Sequence, residues 1–329
     1  MTPVGEFSRL AALTPHLAKT SARVPVGVGD DAAVVRVGET DVVICVDTIV
    51  EGVHVDRDVS SPEDIGWKSM AVNLSDIAAM GAVPRAAVVG LNRPSTLDED
   101  DIEALYRGMA QAAARHDFEV VGGDTVTSTE WSISVTMLGE MPADTAPVTR
   151  GGAAAGDIVI LVGEIGAGAA ALWAREHEQT PWTHHLSRHR RPRPLVRTGP
   201  VLAGLGVTAM IDISDGVGID ARHICDASDV SMNLIAEALA VAVAPGVADV
   251  VGEGWLTTAV GGGEDFALLA TVPSGQWATL KEEVAATGEA VAHRIGVVGP
   301  PPAEGEPRVL LEGSGDLSTP IDTLGYDHG

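Results

Sequence analysis

The chain has 329 residues, 45% of them hydrophobic, which is enough for a large core and fits two domains better than one. Its 46 acidic and 21 basic residues leave a formal net charge of −25, which repels nucleic-acid phosphates and anionic lipids, so neither nucleic acid nor membrane is an expected partner. Only Lys19, Lys68 and Lys281 are lysines, so an anionic ligand must be met mainly by arginine, backbone amides or bound cations.

The N-terminal MTPVGEFSRL has no long apolar segment behind a basic start and does not read as a secretory signal. Cys45 and Cys225 are too few for a disulfide framework or a thiolate zinc site, which fits a reducing, cytoplasmic setting. Beyond them, short β-branched runs alternate with longer stretches of helical period, the pattern of a mixed α/β (α+β) protein. Residues 24–28, 42–46, 86–91, 119–121 and 133–138 predict strands, each bounded by glycine, proline or acidic residues. Between them, residues 62–81 predict a helix whose core stripe is Trp67, Met70, Ala71, Leu74, Ile77 and Ala78, with Ser69, Asn73, Asp76 and Met80 on another stripe. A second helix is expected over 97–116, opened by a capping box of Thr96 and Glu99.

Residues 141–156 are rich in glycine, alanine and proline and mark a domain boundary, giving units at 1–145 and 150–329. The longest apolar stretch, 158–174, is broken by Gly163, Glu164, Gly166 and Gly168, so it reads as a strand and a helix rather than a membrane span of about 20 residues. A basic segment at 188–194 reads equally as a solvated loop or an anion-binding one. A strand over 207–213, a helix over 218–227, a strand over 232–235 and a glycine-rich acidic loop at 261–265 follow.

Several strand-like runs end in aspartate: Asp30 and Asp31, Asp47, Asp124, and Asp212 with Asp215. Any one of these is more often a turn former or a solvated surface acid. If they converge together with Asp76, they cannot all stay ionised without cations between them, and carboxylate oxygens at that density suit Mg²⁺ or Mn²⁺. Metal-dense, lysine-poor chemistry points to phosphates, yet there is no GxxxxGK(S/T) loop, and the glycine-rich stretches read as tight turns by spacing alone. Cys45 lies in an apolar strand and Cys225 in a helix, neither with a convincing base beside it, which disfavours thiol catalysis.

GVGDDAAV (27–34), VDTIVEGVH (46–54), WKSMAVNLSDIAAMGAVP (67–84), GGDT (122–125), IDISDG (211–216), GGED (262–265) and GYDH (325–328) together resemble, in order and across the whole chain, the thiamine-monophosphate kinase family. That family lies in the superfamily of aminoimidazole ribonucleotide synthetase, ATP users without a P-loop. The resemblance implies a two-domain fold of that type, with an N-terminal sheet domain that dimerises and a C-terminal α/β domain closing over the nucleotide. It implies ATP-dependent phosphorylation of thiamine monophosphate to thiamine diphosphate, with several Mg²⁺ ions, ATP as co-substrate and a homodimer. Carried over by motif, Asp31, Asp47, Asp76, Asp124, Asp212 and Asp215 resemble metal ligands. Tyr106, Gly123, Asp124, Arg150 and Ser214 resemble ATP contacts, and His54, Glu264 and Tyr326 resemble thiamine-phosphate contacts. From the residues alone, Tyr106 reads equally as core, His54 as a hydrogen-bonded loop histidine and Tyr326 as a packed tail. Cys45 and Val46 stand where the family usually has hydroxyl residues, which removes side-chain oxygens from one metal position. The alternatives are another ATP-using member of the superfamily, or a catalytically silent thiamine- or nucleotide-binding regulator.

Overall fold

The computed structural model describes residues 20–178, 183–313 and 318–326, with residues 13, 14 and 17 besides, so Asp327 and His328 of the last motif lie outside the described residues. In the first half, β1 (Ala33–Val37), β2 (Thr40–Val50), β3 (Val83–Pro94), β4 (Glu119–Ser128) and β5 (Ser132–Glu140) form one sheet in the order β1-β2-β5-β3-β4. All pairings are antiparallel except β3 with β4. Alternation along the strands decides its two faces. Val43, Cys45 and Ile49, then Ala87, Val89 and Leu91, then Ile133, Val135 and Met137 are buried in a core shared with helices α1 (Pro62–Ala79) and α2 (Glu99–His116). Val46, Val88 and Val126 are exposed instead. The helices cross closely because each contributes a glycine. A Cβ on Gly66 would lie 2.0 Å from the Leu105 carbonyl oxygen, and one on Gly108 would lie 1.9 Å from that of Glu63.

Four of the expected strands are longer in the structure than their apolar runs. The fifth, at 24–28, is not a strand: Val24, Val26 and Val28 make only isolated bridges, since Pro25 has no N–H to offer a ladder, and the strand lies at Ala33–Val37 instead. The cap of α2 also differs from expectation. Asp98, not Thr96, is the N-cap, accepting from the Asp101 amide at 2.8 Å, while Glu99 pairs with Arg93.

The second half builds on β6 (Ile158–Val162), β7 (Ala209–Asp212), β8 (Ser231–Ile235), β9 (Leu268–Val272), β10 (Ala292–Gly299), β11 (Val309–Glu312) and β12 (Ser318–Pro320), in the sheet order β12-β11-β8-β10-β6-β9-β7. Its helices are α3 (Ala167–Glu176), α4 (Thr183–Arg190), α5 (Thr198–Gly204), α6 (Val217–Ser228), α7 (Ala236–Ala242), α8 (Val247–Val251), α9 (Trp255–Gly261) and α10 (Trp277–Thr287). Strand β6 is buried on both faces. Val159 and Leu161 enter one core with Ile211 and Ile224, and Ile158, Ile160 and Val162 enter a second with Leu202 and Leu280. The basic segment is not loop throughout, and two of its arginines are engaged by carboxylates while Arg193 is exposed. It begins inside α4, Arg188 pairs with Glu164 at 2.5 Å, and Arg191 reaches Asp64 at 2.5 Å and Glu63 at 3.0 Å.

Helix α1 joins the halves, and its second stripe is largely buried. Ser69, Asn73 and Met80 are buried along with the core stripe. Strand β2 meets that side through the Asp47 amide, which donates to the Asn73 side chain at 3.1 Å, while the second half meets other sides of the helix: the Trp67 indole donates to the Pro192 carbonyl at 2.9 Å, and the Ser75 hydroxyl donates to Asp212 at 2.5 Å. Among the described residues no helix is long and apolar enough to cross a membrane.

Candidate active site

A cavity of about 770 Å³ opens between the halves and is lined by Asp31, Asp47, His54, Asp76, Arg150, Asp212, Ser214, Asp215, Glu264 and Tyr326. Four elements deliver its acidic end: the loop before β1 carries Asp31, β2 Asp47, α1 Asp76 and the last residue of β7 Asp212. One carboxylate oxygen each from Asp31, Asp76 and Asp212 lie within 4.8 Å of one another. Asn73 positions its neighbours. Its side chain donates to the Ser69 carbonyl at 3.0 Å and accepts from the Asp47 amide at 3.1 Å, which fastens β2 to α1 beside Asp76.

Such crowding makes ionisation costly. Burial, then the charge of Asp31, pushes the Asp212 carboxyl up to about 8, and burial, then the charges of Asp47, Asp212 and Asp31, raises that of Asp76 well above the ordinary range. Burial likewise raises Asp47 and Asp31, the latter against the opposing pull of Arg150. The Arg150 guanidinium sits 2.6 Å from Asp31, so this expected nucleotide contact is held by a carboxylate of the cluster. The second oxygen of Asp31 is buried with no hydrogen-bond partner. An all-carboxylate donor set with an orphaned buried oxygen fits a hard divalent cation.

The far end of the cavity has the opposite electrostatics. Glu264 lies 2.7 Å from the Lys68 ammonium and 2.8 Å from His189 Nδ1, and although burial works against ionisation, Lys68 and His189 outweigh it and bring the carboxyl down to about 2. The loop bearing Glu264 is stitched to the loop after β7: the Glu264 amide donates to the Ser214 carbonyl and the Phe266 amide to that of Ile213, both at 2.8 Å. Tyr326 docks on the same loop through its amide, which donates to the Asp215 carbonyl at 2.9 Å. His54 closes the turn after β2, its Nδ1 accepting from the Val50 amide at 3.1 Å.

Three expected site residues are elsewhere. Tyr106, Gly123 and Asp124 line a separate cavity of about 710 Å³ between α2 and β4, where Asp124 is exposed and accepts from the Thr125 amide at 2.9 Å. Asp124 therefore does not join the other carboxylates within this chain. Gly123 also has a structural reason to be glycine, since a Cβ there would lie 1.9 Å from the Val89 carbonyl oxygen of the neighbouring strand. Tyr106 is 40% exposed and is not core.

Sequence reasoning passed over Lys68 and His189 as site residues, and named Asp30 only among the strand-end aspartates. Asp30 lines the cleft, accepts from the Arg150 amide at 3.1 Å, and is raised to about 7 by burial and then by Asp31. For Lys68 a signal existed, because in so lysine-poor a chain an ammonium in the middle of an apolar helix demands a partner.

Residues 29–141 match the family model described as AIR synthase related protein, N-terminal domain, and residues 154–305 match its C-terminal domain. The chain is 36% identical to the thiamine-monophosphate kinase of Bacillus subtilis, with 98% of this chain and 99% of that one covered, and 39% identical to that of Mycobacterium tuberculosis, with 84% of each covered. The solved structure of AaThiL complexed with AMPPCP and TMP superposes with a TM-score of 0.84 at 29% identity, covering 99% of this chain and 97% of the other. At 18% identity, the hydrogenase maturation protein HypE shares the fold, with a TM-score of 0.69 over 87% of this chain and 90% of that one. The chain belongs to the thiamine-monophosphate kinase family.

Proposed function

We propose that this member of the family transfers the γ-phosphoryl group of ATP to thiamine monophosphate, giving thiamine diphosphate and ADP. The observation that carries this reading is the convergence of Asp31, Asp76 and Asp212 within 4.8 Å in a cleft between the halves, a density of acidic groups that suits a cation-bearing ligand such as a nucleotide polyphosphate. The B. subtilis and M. tuberculosis relatives narrow the substrate to thiamine monophosphate, and the AMPPCP-bound neighbour supports ATP as the donor.

Asp31, Asp47, Asp76 and Asp212 would hold Mg²⁺, with Asp215 at the same cleft. Bound there, the metal would neutralise charge on the phosphates as they approach. The residues of the chain bind and orient. Arg150 fixes Asp31, Ser214 presents the loop after β7, and His54, Glu264 and Tyr326 face the thiamine-phosphate side. A phosphate monoester has a second pKa near 6, so the attacking oxygen is already largely ionised and needs no general base from the protein. It forms a bond to the γ-phosphorus as the bond to the β,γ-bridging oxygen breaks, ADP leaves, and no phosphoenzyme intervenes.

The same reading includes a homodimer. The outer face of the first sheet exposes Val46, Val88 and Val126, and a second copy apposed there would cover them. Gly123 and Asp124 lie on β4, the edge strand of that sheet, so their cavity would fall at the seam between copies. Units at 1–145 and 150–329 agree with the break between the two family matches, and two buried free thiols support a cytoplasmic setting. A coupled ADP-release assay with and without thiamine monophosphate tests the activity. Release that depends on thiamine monophosphate is expected. Release indifferent to it would move the chain to another ATP-using member of the superfamily, and no release would leave a silent binder.

A further inference from the structure

Lys68 stands out among the groups the phosphoryl transfer does not use. It is 1% exposed in the middle of α1, a position that strands a charge unless the surroundings meet it. Two groups do so. Its ammonium donates to the His54 carbonyl at 3.0 Å and lies 2.7 Å from Glu264 Oε1, while His189, from α4, lies 2.8 Å from Glu264 Oε2. Each carboxylate oxygen of Glu264 therefore has a neighbour on the protein side, and the side chain, 28% exposed, keeps its remaining face to the cavity.

The backbone explains why such a tether is needed. Glu264 and Phe266 have φ of +64° and +53°, the left-handed region that non-glycine residues avoid, so the loop does not take this shape by local preference. Backbone bonds to Ser214 and Ile213 fix the main chain, and Lys68 with His189 fixes the side chain. Because the same ammonium holds the His54 carbonyl, it ties together the turn after β2 and the loop after α9, two walls that come from different halves.

We infer that Lys68 and His189 are positioning residues for the thiamine-phosphate half of the site: they hold the Glu264 carboxylate, aimed into the cavity, against the turn that carries His54. An anionic carboxylate fixed in this way suits the cationic, amine-bearing ring system of thiamine. The inference rests on the reading that Glu264 contacts that substrate.

Steady-state kinetics of the full-length protein separate the two claims. Lys68→Met and Glu264→Gln are each expected to raise the KM for thiamine monophosphate by about tenfold or more, with the KM for ATP within about twofold of wild type. The double variant Lys68→Met/Glu264→Gln, which leaves no buried charge unpaired, is expected within about threefold of Glu264→Gln alone, because Lys68 acts through that carboxylate. His189→Gln should raise the same KM by about threefold. An unchanged KM in Glu264→Gln would remove the substrate reading itself. A raised KM in Glu264→Gln with wild-type values in Lys68→Met would overturn the positioning role alone, and so would equal losses for both substrates in Lys68→Met. Should Lys68→Met fail to fold, the double variant decides: a KM for thiamine monophosphate far above that of Glu264→Gln overturns the inference.

Discussion

The two ends of the cleft carry carboxylates displaced in opposite directions, Asp212 up to about 8 and Glu264 down to about 2. Burial penalises ionisation at both, so burial is not what separates them. Partners are. Glu264 has Lys68 and His189 on its protein side, whereas Asp212 has the Ser75 hydroxyl and a surround of other aspartates, with Arg150 committed mainly to Asp31. One end thus has its carboxylate met by the chain's own Lys68, with His189 beside it. The other is left in electrostatic deficit and awaits positive charge from outside, which is the condition of a metal–phosphate site.

The sharpest way to break this contrast is Asp76→Asn. Turnover at saturating Mg²⁺ should fall at least about 10²-fold, roughly 2.7 kcal/mol of lost transition-state stabilisation. In metal-free protein near neutral pH the same change should raise the melting temperature, because it removes a carboxyl whose ionisation burial and then Asp47, Asp212 and Asp31 oppose in the folded state. Turnover near the wild-type value would make the acidic end an ordinary buried cluster.

A metal and pH titration of stability probes the deficit directly. Folded-state carboxyls at Asp31, Asp47, Asp76 and Asp212 are raised, so the native protein binds more protons than the unfolded chain between about pH 4 and 8. The stability they contribute is fully present below the unfolded value and is lost as pH rises through the folded one. Metal-free melting temperature should therefore fall between pH 6 and about 8, less steeply in Asp76→Asn. Glu264 is shifted the other way, and its contribution is lost only as pH falls through about 2, so it adds nothing to this slope. Low-millimolar Mg²⁺ should flatten the profile and add about 2.7 kcal/mol at a hundredfold excess over its Kd, saturating where NaCl of matched ionic strength does not. Equal effects of the two salts would disperse the cluster into surface acids.

The smallest expected effect is at Tyr326, 54% exposed and held by a backbone bond to Asp215. Tyr326→Ala should raise the KM for thiamine monophosphate about three- to tenfold and leave that for ATP unchanged. An equal loss for both substrates would place Tyr326 at the acidic end.

Much of this organisation is legible along the chain. The α1 run, the alternation of β2 and β5, and aspartates at the ends of apolar runs all follow from local periodicity, which needs no knowledge of distant residues. Expectation failed where two local signals compete. The apolar stretch around Val26 was outweighed by Pro25, and Asp98 rather than Thr96 caps α2 because the helix begins later than its apolar pattern.

By itself the sequence determined the mixed α/β class, the family and ten of the residues that line the cleft, because each is written in side-chain type and short-range spacing. Tertiary structure alone decided which aspartates meet. Asp31, Asp76 and Asp212 are separated by long stretches of chain and come together through the docking of the second half on α1, while Asp124, equally well placed at the end of an apolar run, faces another cavity. The same docking set Lys68 against Glu264. Long-range packing fixes such charge pairings, and no periodicity along the chain encodes them.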